Sequence, residues 1–555
     1  MPVPVPVEEH SRLTDVLFCL VLGNLCFVQR WFDLEVLQVR ELDFYRSAPS
    51  DPGLLIATLI ASSILALGFW LIAQWVRRVD NLRLTAIARC GTLLVMLYAL
   101  EILRRYWFSE LGSIQWDVNG ILIALEVIVA AGAAAAALGN PLIFNFARTG
   151  VVLAGFLIPV MLVDFFWVHP QSQSTVFQPQ SGLPMLHVRP GVGKNRAPRV
   201  VWLLFDEFDQ RLAFDERPAS LKLPELDQLR AESLVANRVL QQADFTIVAI
   251  PSLLSGRPFE GYRAINARTL LVLPPGSKQP FRWGDQPNLF QQARRLGANT
   301  SLTGWDLPYC RMIGNSLVHC FDQTGGRTPF AVQWEMQASE KSVGESVAFE
   351  FWSQTQNLRD FFHPGSRAVS TDASDAFVQR KQLQQFLILR DHAYREISDP
   401  QMDFVFVHLP IPHPFAIYDR KLADFALNSH TSYLDNLALV DRTVGEVRRT
   451  LERAGLWEST ILMVTSDHAL RPRIWQDRYD WTPEIADLMK RGGSPTVPFM
   501  LKLTGHHPAA VYEPFISNVT AAQLSVAALS GNVTTPQQAA DWLMRQSEQP
   551  AISAR

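Results

Sequence analysis

Residues 200–207 read Val-Val-Trp-Leu-Leu-Phe-Asp-Glu, six apolar residues without polar alternation followed at once by two acids. An unbroken apolar run of this length predicts a strand covered on both faces. The pattern recurs twice. Phe404-Val405-Phe406-Val407 runs into His408, with His413 just beyond, and Ile461-Leu462-Met463-Val464 leads to Asp467-His468. Further strands are expected over 301–304 and 497–503, and helices over 224–233, 288–296, 375–397 and 433–454. Apolar runs alternating with helices predict an α/β/α sandwich with a mostly parallel central sheet. In such sheets sites gather at the carboxyl ends of the strands.

Three strand ends therefore deliver carboxylates and imidazoles to one edge. Singly, each reads equally well as a loop charge or a helix cap. As a set they point to a divalent metal, Zn or Mn, since both accept oxygen and imidazole ligands.

The first 168 residues have a different character. Hydrophobic residues make up 48% of the 555 and charged residues 19%, with a net charge of -3 and no basic run, which excludes nucleic acid as a partner. Five stretches approach the ~20 apolar residues that cross a bilayer: 13–32, 53–76, 86–103, 119–139 and 150–168. No small-residue cleavage site follows the first, and Arg30, Trp31 and Phe32 cap it as an interface does, so it reads as a retained helix and not a signal peptide. Arg77, Arg78, Arg83 and Arg89 follow the second stretch, whereas the loop after the first is acidic. The positive-inside rule then puts the N-terminus in the cytoplasm and everything after Val168 outside, against the weaker signal of Arg104 and Arg105. Glu126 and Asp164 fall inside spans, where an acid marks either function or a bonded structural group.

The expected organisation is a five-helix transmembrane domain (1–168), a Pro- and Gln-rich linker (169–199) and an extracytoplasmic catalytic domain (200–555). Cys19, Cys26 and Cys90 read as buried hydrophobes. Cys310 and Cys320, close together on the oxidising side, are expected to form a disulfide.

The segments VVWLLFDEFD (200–209), FTIVAIPSLLSG (245–256), VHLPIPHPF (407–415), TILMVTSDHAL (460–470) and VPFML (497–501) resemble, in order and form, the sulfatase-like branch of the alkaline phosphatase superfamily. Five spans before such a domain also resemble the lipoteichoic acid synthases and the lipid A phosphoethanolamine transferases. The resemblance implies Asp206, Asp467 and His468 as metal ligands, with Glu207 as a further ligand or the one in place of Asp206. It implies Thr246 as the nucleophile, activated by the metal and ten residues before Gly256; the other reading of Thr246 is a helix N-cap. His413 takes the position of the histidine that contacts the transferred group or protonates the leaving oxygen. His408, Trp305, Arg311 and Arg473 are candidate substrate contacts, with Arg471 beside them; for His408 a satisfied strand-end histidine, and for the arginines a solvated surface, is the alternative. Ala469 stands where the family usually has Gly, and His506 and His507 are the next histidines downstream.

The expected function is transfer of a phospho-substituent, of the phosphoglycerol or phosphoethanolamine type, from a membrane lipid donor to an envelope glycan or lipid at the bacterial cytoplasmic membrane. A phosphate or sulfate ester hydrolase and an inactive binding module are the alternatives. Family sulfatases oxidise a Cys or Ser within Cys/Ser-x-Pro-x-Arg; here Thr246, Val248 and Ile250 occupy those places.

Overall fold

The computed structural model describes residues 12–31, 44–45, 52–110, 127–132, 135, 142–155, 157–163, 178–186, 198–324, 342–362, 372–427, 431–476, 480–490 and 492–548. In chain order, helices α1 (Arg12–Leu25), α2 (Pro52–Val79), α3 (Leu82–Glu110), α4 (Leu142–Ala154) and α5 (Leu157–Val163) come first. They are followed by β1 (Arg199–Asp206), α6 (Pro224–Ala231), β2 (Leu234–Leu240), α7 (Thr246–Ser255), β3 (Thr300–Asp306), β4 (His319–Thr324) and α8 (Val343–Phe362). Then come α9 (Asp372–Ser398), β5 (Phe404–Pro412), α10 (Tyr433–Arg453), β6 (Thr460–Ser466), β7 (Thr496–Lys502), β8 (Ala510–Tyr512) and β9 (Ile516–Ser517). The chain divides into two compact units: Met1–Val39, Ala48–Thr175 and Pro329–Val369 in one, Arg40–Ser47, Val176–Thr328 and Ser370–Arg555 in the other.

The second unit is built on a nine-stranded sheet in the order β8-β2-β7-β6-β1-β5-β3-β4, with β9 also on β2. Strands β4, β3, β5, β1 and β6 are parallel, and β7 reverses against β6. The expected α/β class and mostly parallel sheet are therefore present. Strand β1 is buried along its whole length because alternate residues serve two cores: Val200, Trp202 and Leu204 pack on one face, Val201, Leu203 and Phe205 on the other. Each such buried side chain contributes about 1.5–3 kcal/mol. Register aligns the ends, with Phe205 opposite both Ser466 and Leu409, so the residues after β1, β5 and β6 emerge together. Part of the expected linker is held against this unit, where Gln180 N donates to Cys310 O at 2.9 Å and Leu183 N to Leu317 O at 2.7 Å.

In the first unit, two helical segments among the described residues are long and apolar enough to cross a membrane, Leu55–Val79 and Leu82–Ala99. Five were expected. The first stretch is broken by a turn at Cys26 and Phe27 after a 14-residue helix, and the fifth is split between α4 and α5 around Gly155. Most of 119–139, with Glu126, and also Asp164, lie outside the described residues. Leu67, Leu71, Ile72 and Trp75 of α2 are exposed.

Helix α8, which the reading of 200–555 as one domain does not anticipate, packs in this unit. Its Val347 and Phe351 sit against Phe27, Trp31, Leu55 and Ala61. Its Glu350, fully buried, meets Arg30 Nε at 2.9 Å and accepts from Thr58 Oγ1 at 3.4 Å, and Tyr98 Oη donates to Gln354 at 2.8 Å. Elsewhere in the unit Asp15 pairs with Arg77 at 2.6 Å and Arg148 at 2.7 Å.

Candidate active site

Asp206 ends β1, His408 lies in β5 with His413 just past its end, and Asp467 and His468 follow β6. Thr246 is the first residue of α7. The helix N-cap is Phe245, without a side-chain cap, so Thr246 is not the cap that one reading made it. Its hydroxyl instead donates to Asp206 Oδ2 at 3.2 Å and lies 3.3 Å from His468 Nε2. The ten-residue spacing to Gly256 is the length of this helix: Gly256 closes it with φ 64°, where a Cβ would also press on the Gln523 side chain.

All seven groups Asp206, Glu207, Thr246, His408, His413, Asp467 and His468 are buried. His408 Nε2 is 3.3 Å from Asp206 Oδ2, and His468 Nε2 is 3.2 Å from Asp467 Oδ2. Ligand atoms of Asp206, His408 and Asp467 all lie within 4.8 Å of one another. His408, expected at the substrate, thus groups with the carboxylates. Its Nδ1 is 2.8 Å from Tyr309 Oη, and with that nitrogen donating, Nε2 turns a lone pair to the acids. Asp467 Oδ2 and His408 Nε2 make no hydrogen bond among the described residues. Two carboxylates buried beside one another repel unless a cation balances them. The donor set therefore fits a divalent ion held by Asp206, His408, Asp467 and His468.

Ligand atoms of Asp206, Glu207 and His413 also lie within 4.8 Å of one another, a second group that could hold a metal. Trp475 Nε1 donates to Glu207 Oε2 at 2.9 Å, Arg471 Nε to its Oε1 at 2.6 Å, and His413 Nε2 is 3.7 Å away. Burial pushes its carboxyl up, opposed by the charges of Arg471 and His468. His413 is flanked edge-on by Trp475 and Trp305, with ring centroids at 4.7 and 5.5 Å. Trp305 also lies edge-on to His408, and its Nε1 donates to Gln385 at 3.0 Å.

Arg311 is buried and donates to Phe44 O at 2.8 Å, Arg473 is exposed, and Arg471 donates to Glu207. Cys310 and Cys320 are bonded, with Cα atoms 5.6 Å apart. His506 pairs with Glu458 on the surface.

Several supporting residues escaped the sequence reading. Tyr309 reaches His408 because Gly304 in β3 leaves room where a Cβ would clash with its ring. Ser466 donates to Phe205 O at 2.7 Å and accepts from Phe208 N at 2.9 Å, tying β1 to β6 at the site. Gln382 Nε2 donates to His413 O at 2.8 Å, and Asn436 Nδ2 to the same oxygen at 3.1 Å, fixing the loop that carries the imidazole.

A family model described as Sulfatase matches residues 198–526, more than half of the chain. The chain belongs to the sulfatase family. Within it, the sulfatase-like branch of the alkaline phosphatase superfamily named by the sequence motifs is confirmed. Solved structures similar to this sulfatase-family chain include the PsFucS1 sulfatase from Pseudoalteromonas sp., at 16% identity and TM-score 0.40 over 63% of this chain and 72% of that one. Another is the lipoteichoic acid synthase LtaP from Listeria monocytogenes, at 14% identity and TM-score 0.34 over 62% and 76%. The phosphonate monoester hydrolase of Agrobacterium radiobacter gives 16% identity and TM-score 0.32 over 58% and 71%. No curated protein matches the chain.

Proposed function

We propose that this chain is a metal-dependent transferase that moves a phospho-substituent, of the phosphoglycerol or phosphoethanolamine type, from a membrane lipid to an envelope glycan or lipid. The observation that carries the reading is the placement of the Thr246 hydroxyl, 3.2 Å from Asp206 Oδ2 and 3.3 Å from His468 Nε2. A threonine there argues against sulfate ester hydrolysis by the aldehyde route, since its β-carbon bears a methyl group, and Val248 and Ile250 replace the Pro and Arg of that motif.

Asp206, His408, Asp467 and His468 would hold a Zn or Mn ion, which would supply Lewis acidity to the phosphoryl oxygens and to the nucleophile. The Thr246 oxygen forms a bond to phosphorus while the phosphorus–oxygen bond to the lipid breaks. The threonine proton leaves along its hydrogen bond to Asp206, and His413 gives a proton to the departing lipid oxygen. A hydroxyl of the acceptor then displaces Thr246 and gives its proton to His413, while the departing Thr246 oxygen takes its proton back from Asp206. The N-terminus of α7 favours the phosphate anion at Thr246.

A lipid donor accounts for attachment to a bilayer, and the N-terminal helices, with the apolar segments Leu55–Val79 and Leu82–Ala99, are proposed as the anchor in the bacterial cytoplasmic membrane with the catalytic domain outside. Within the N-terminal unit Asp15 pairs with both Arg77 and Arg148, and Arg30, Thr58 and Tyr98 meet α8, so buried polar contacts tie the anchor's helices together. Mass spectrometry of envelope lipids and glycans from cells with active enzyme and with Thr246→Ala tests the reading. A phospho-substituent missing only in the variant supports it; unchanged envelopes with release of a free phosphorylated head group would make the enzyme a hydrolase.

A further inference from the structure

The groups of the site are not equally closed to solvent. Six of the seven are at most 1% exposed, whereas Thr246 reaches 8%. The site therefore opens at the nucleophile, and the residue beside that opening is Phe245, which is 52% exposed.

Phe245 occupies a position where a polar residue would stabilise the fold. It is the N-cap of α7, with extended backbone and no side-chain cap. Ser, Thr, Asp or Asn there would bond an unpaired N–H of the first turn. A ring left half in water gains little from burial in exchange. Its placement is nevertheless fixed. The Arg471 guanidinium lies 5.6 Å from the ring centroid, and Arg471 is itself held by Nη1 donating to Asp244 O at 3.1 Å and Nε to the buried Glu207 at 2.6 Å.

A second apolar residue stands on the other side of Arg471. Ile474 N donates to Arg471 O at 3.0 Å, and Ile474 is 43% exposed. The next residue, Trp475, lies edge-on to His413 at 4.7 Å. Exposed apolar residues scattered singly are ordinary on a protein surface. Here one replaces a helix cap beside the nucleophile, and the other adjoins the indole that flanks the histidine assigned to the departing lipid oxygen.

We propose that Phe245 and Ile474 bind the apolar part of the donor, the alkyl or acyl chain carried by the phosphodiester presented to Thr246. The donor is then an amphiphile whose polar head enters the closed site and whose first methylenes lie on the Phe245 ring and Ile474 outside it. This rests on the phosphoryl-transfer reading for the phosphodiester and adds to it the recognition of the chain.

The test uses the full-length protein in nanodiscs, carrying Thr246→Ala so that the probes are bound without turnover. The probes are the methyl and hexyl phosphodiesters of glycerol, titrated by calorimetry. Before further substitution the hexyl ester should bind roughly tenfold or more tighter than the methyl ester. Phe245→Ala and Ile474→Ala should each reduce that preference, and the two together should abolish most of it, while the methyl ester keeps its affinity. Phe245→Leu should retain part of the preference. Equal affinity for the two esters at the outset, or an undiminished preference in the double variant, would overturn the proposal. So would an equal loss for both esters, which would place these residues at the phosphate and not at the chain. Phe245→Ser, which supplies the missing cap, should melt no lower than its parent; a lower melting temperature would assign the ring to the fold and not to the donor. Parental turnover in the Thr246→Ala enzyme would sink the transferase reading, and the chain-length comparison would still decide this proposal.

Discussion

Thr246 Oγ1 lies 3.2 Å from Asp206 Oδ2, although 40 residues separate them and neither belongs to the same element as the other. The approach is set by β1 ending in the middle of the sheet and α7 starting over that end, which puts a hydroxyl, a carboxylate and a helix N-terminus at one point.

Metal binding should depend on His408 as much as on the Asp-His pair after β6. Asp467→Asn, His468→Ala and His408→Ala are each expected to lower bound metal and to reduce turnover by roughly 100-fold or more, with the fold retained. Plasma mass spectrometry and circular dichroism on the same samples check this. Full metal occupancy in His408→Ala would return that histidine to a structural or substrate role.

Topology has a direct readout. A reporter fused after Arg555 should be active only outside the cytoplasm, and one inserted at Asn81 only inside. Cytoplasmic activity of the C-terminal fusion would remove the lipid-donor argument.

Helix α8 depends on a buried ion pair. Glu350→Ala leaves the Arg30 charge, 5% exposed, without its carboxylate, at an expected cost of about 3–5 kcal/mol. Replacing both partners, Arg30→Met with Glu350→Leu, should restore most of it. Thermal unfolding in detergent measures both; an unchanged melting temperature in Glu350→Ala would show that the pair contributes nothing.

Asp441 in α10 accepts from Leu226 N at 2.8 Å at the start of α6, and burial, with Glu225 and Asp227 nearby, lifts its carboxyl to about 7. The folded state thus holds a proton that the unfolded chain releases near 3.8. The associated stability is full below that value and is lost as pH rises through about 7. Asp441→Asn keeps the acceptor oxygen but lacks the charge. Its melting temperature relative to the parent should rise by at least ~2 °C between pH 5 and pH 8. A constant difference across that range would contradict the assignment.

Where chemistry followed directly from a strand end, it was legible. Asp206, His408, Asp467 and His468 come together because unbroken apolar runs announce central parallel strands, whose carboxyl ends must align. The Cys310–Cys320 bond was legible from spacing taken with the expected oxidising side, and the Thr246-to-Gly256 spacing came with the family resemblance. Glu207 was not, because a positive φ decides its direction and no local pattern in an Asp-Glu pair reports it. Tyr309 was hidden for a different reason: its contact with His408 needs β3 beside β5, a pairing of strands about a hundred residues apart. Helix α8 mixes Glu350 and Gln354 with apolar residues, and its partners lie some 250 to 320 residues earlier, so periodicity alone could not place it.

The most direct test of the central claim is to incubate the purified enzyme with a membrane extract containing donor lipids but no acceptor, and to analyse the digested chain by mass spectrometry. The expected result is a phospho-substituent on Thr246 that disappears when acceptor is added. Thr246→Ser should retain some adduct and turnover, because it keeps the hydroxyl, and Thr246→Ala should lose both. A Thr246→Ala variant that turns over at the parental rate, or an adduct on another residue, would contradict the claim that this threonine is the nucleophile.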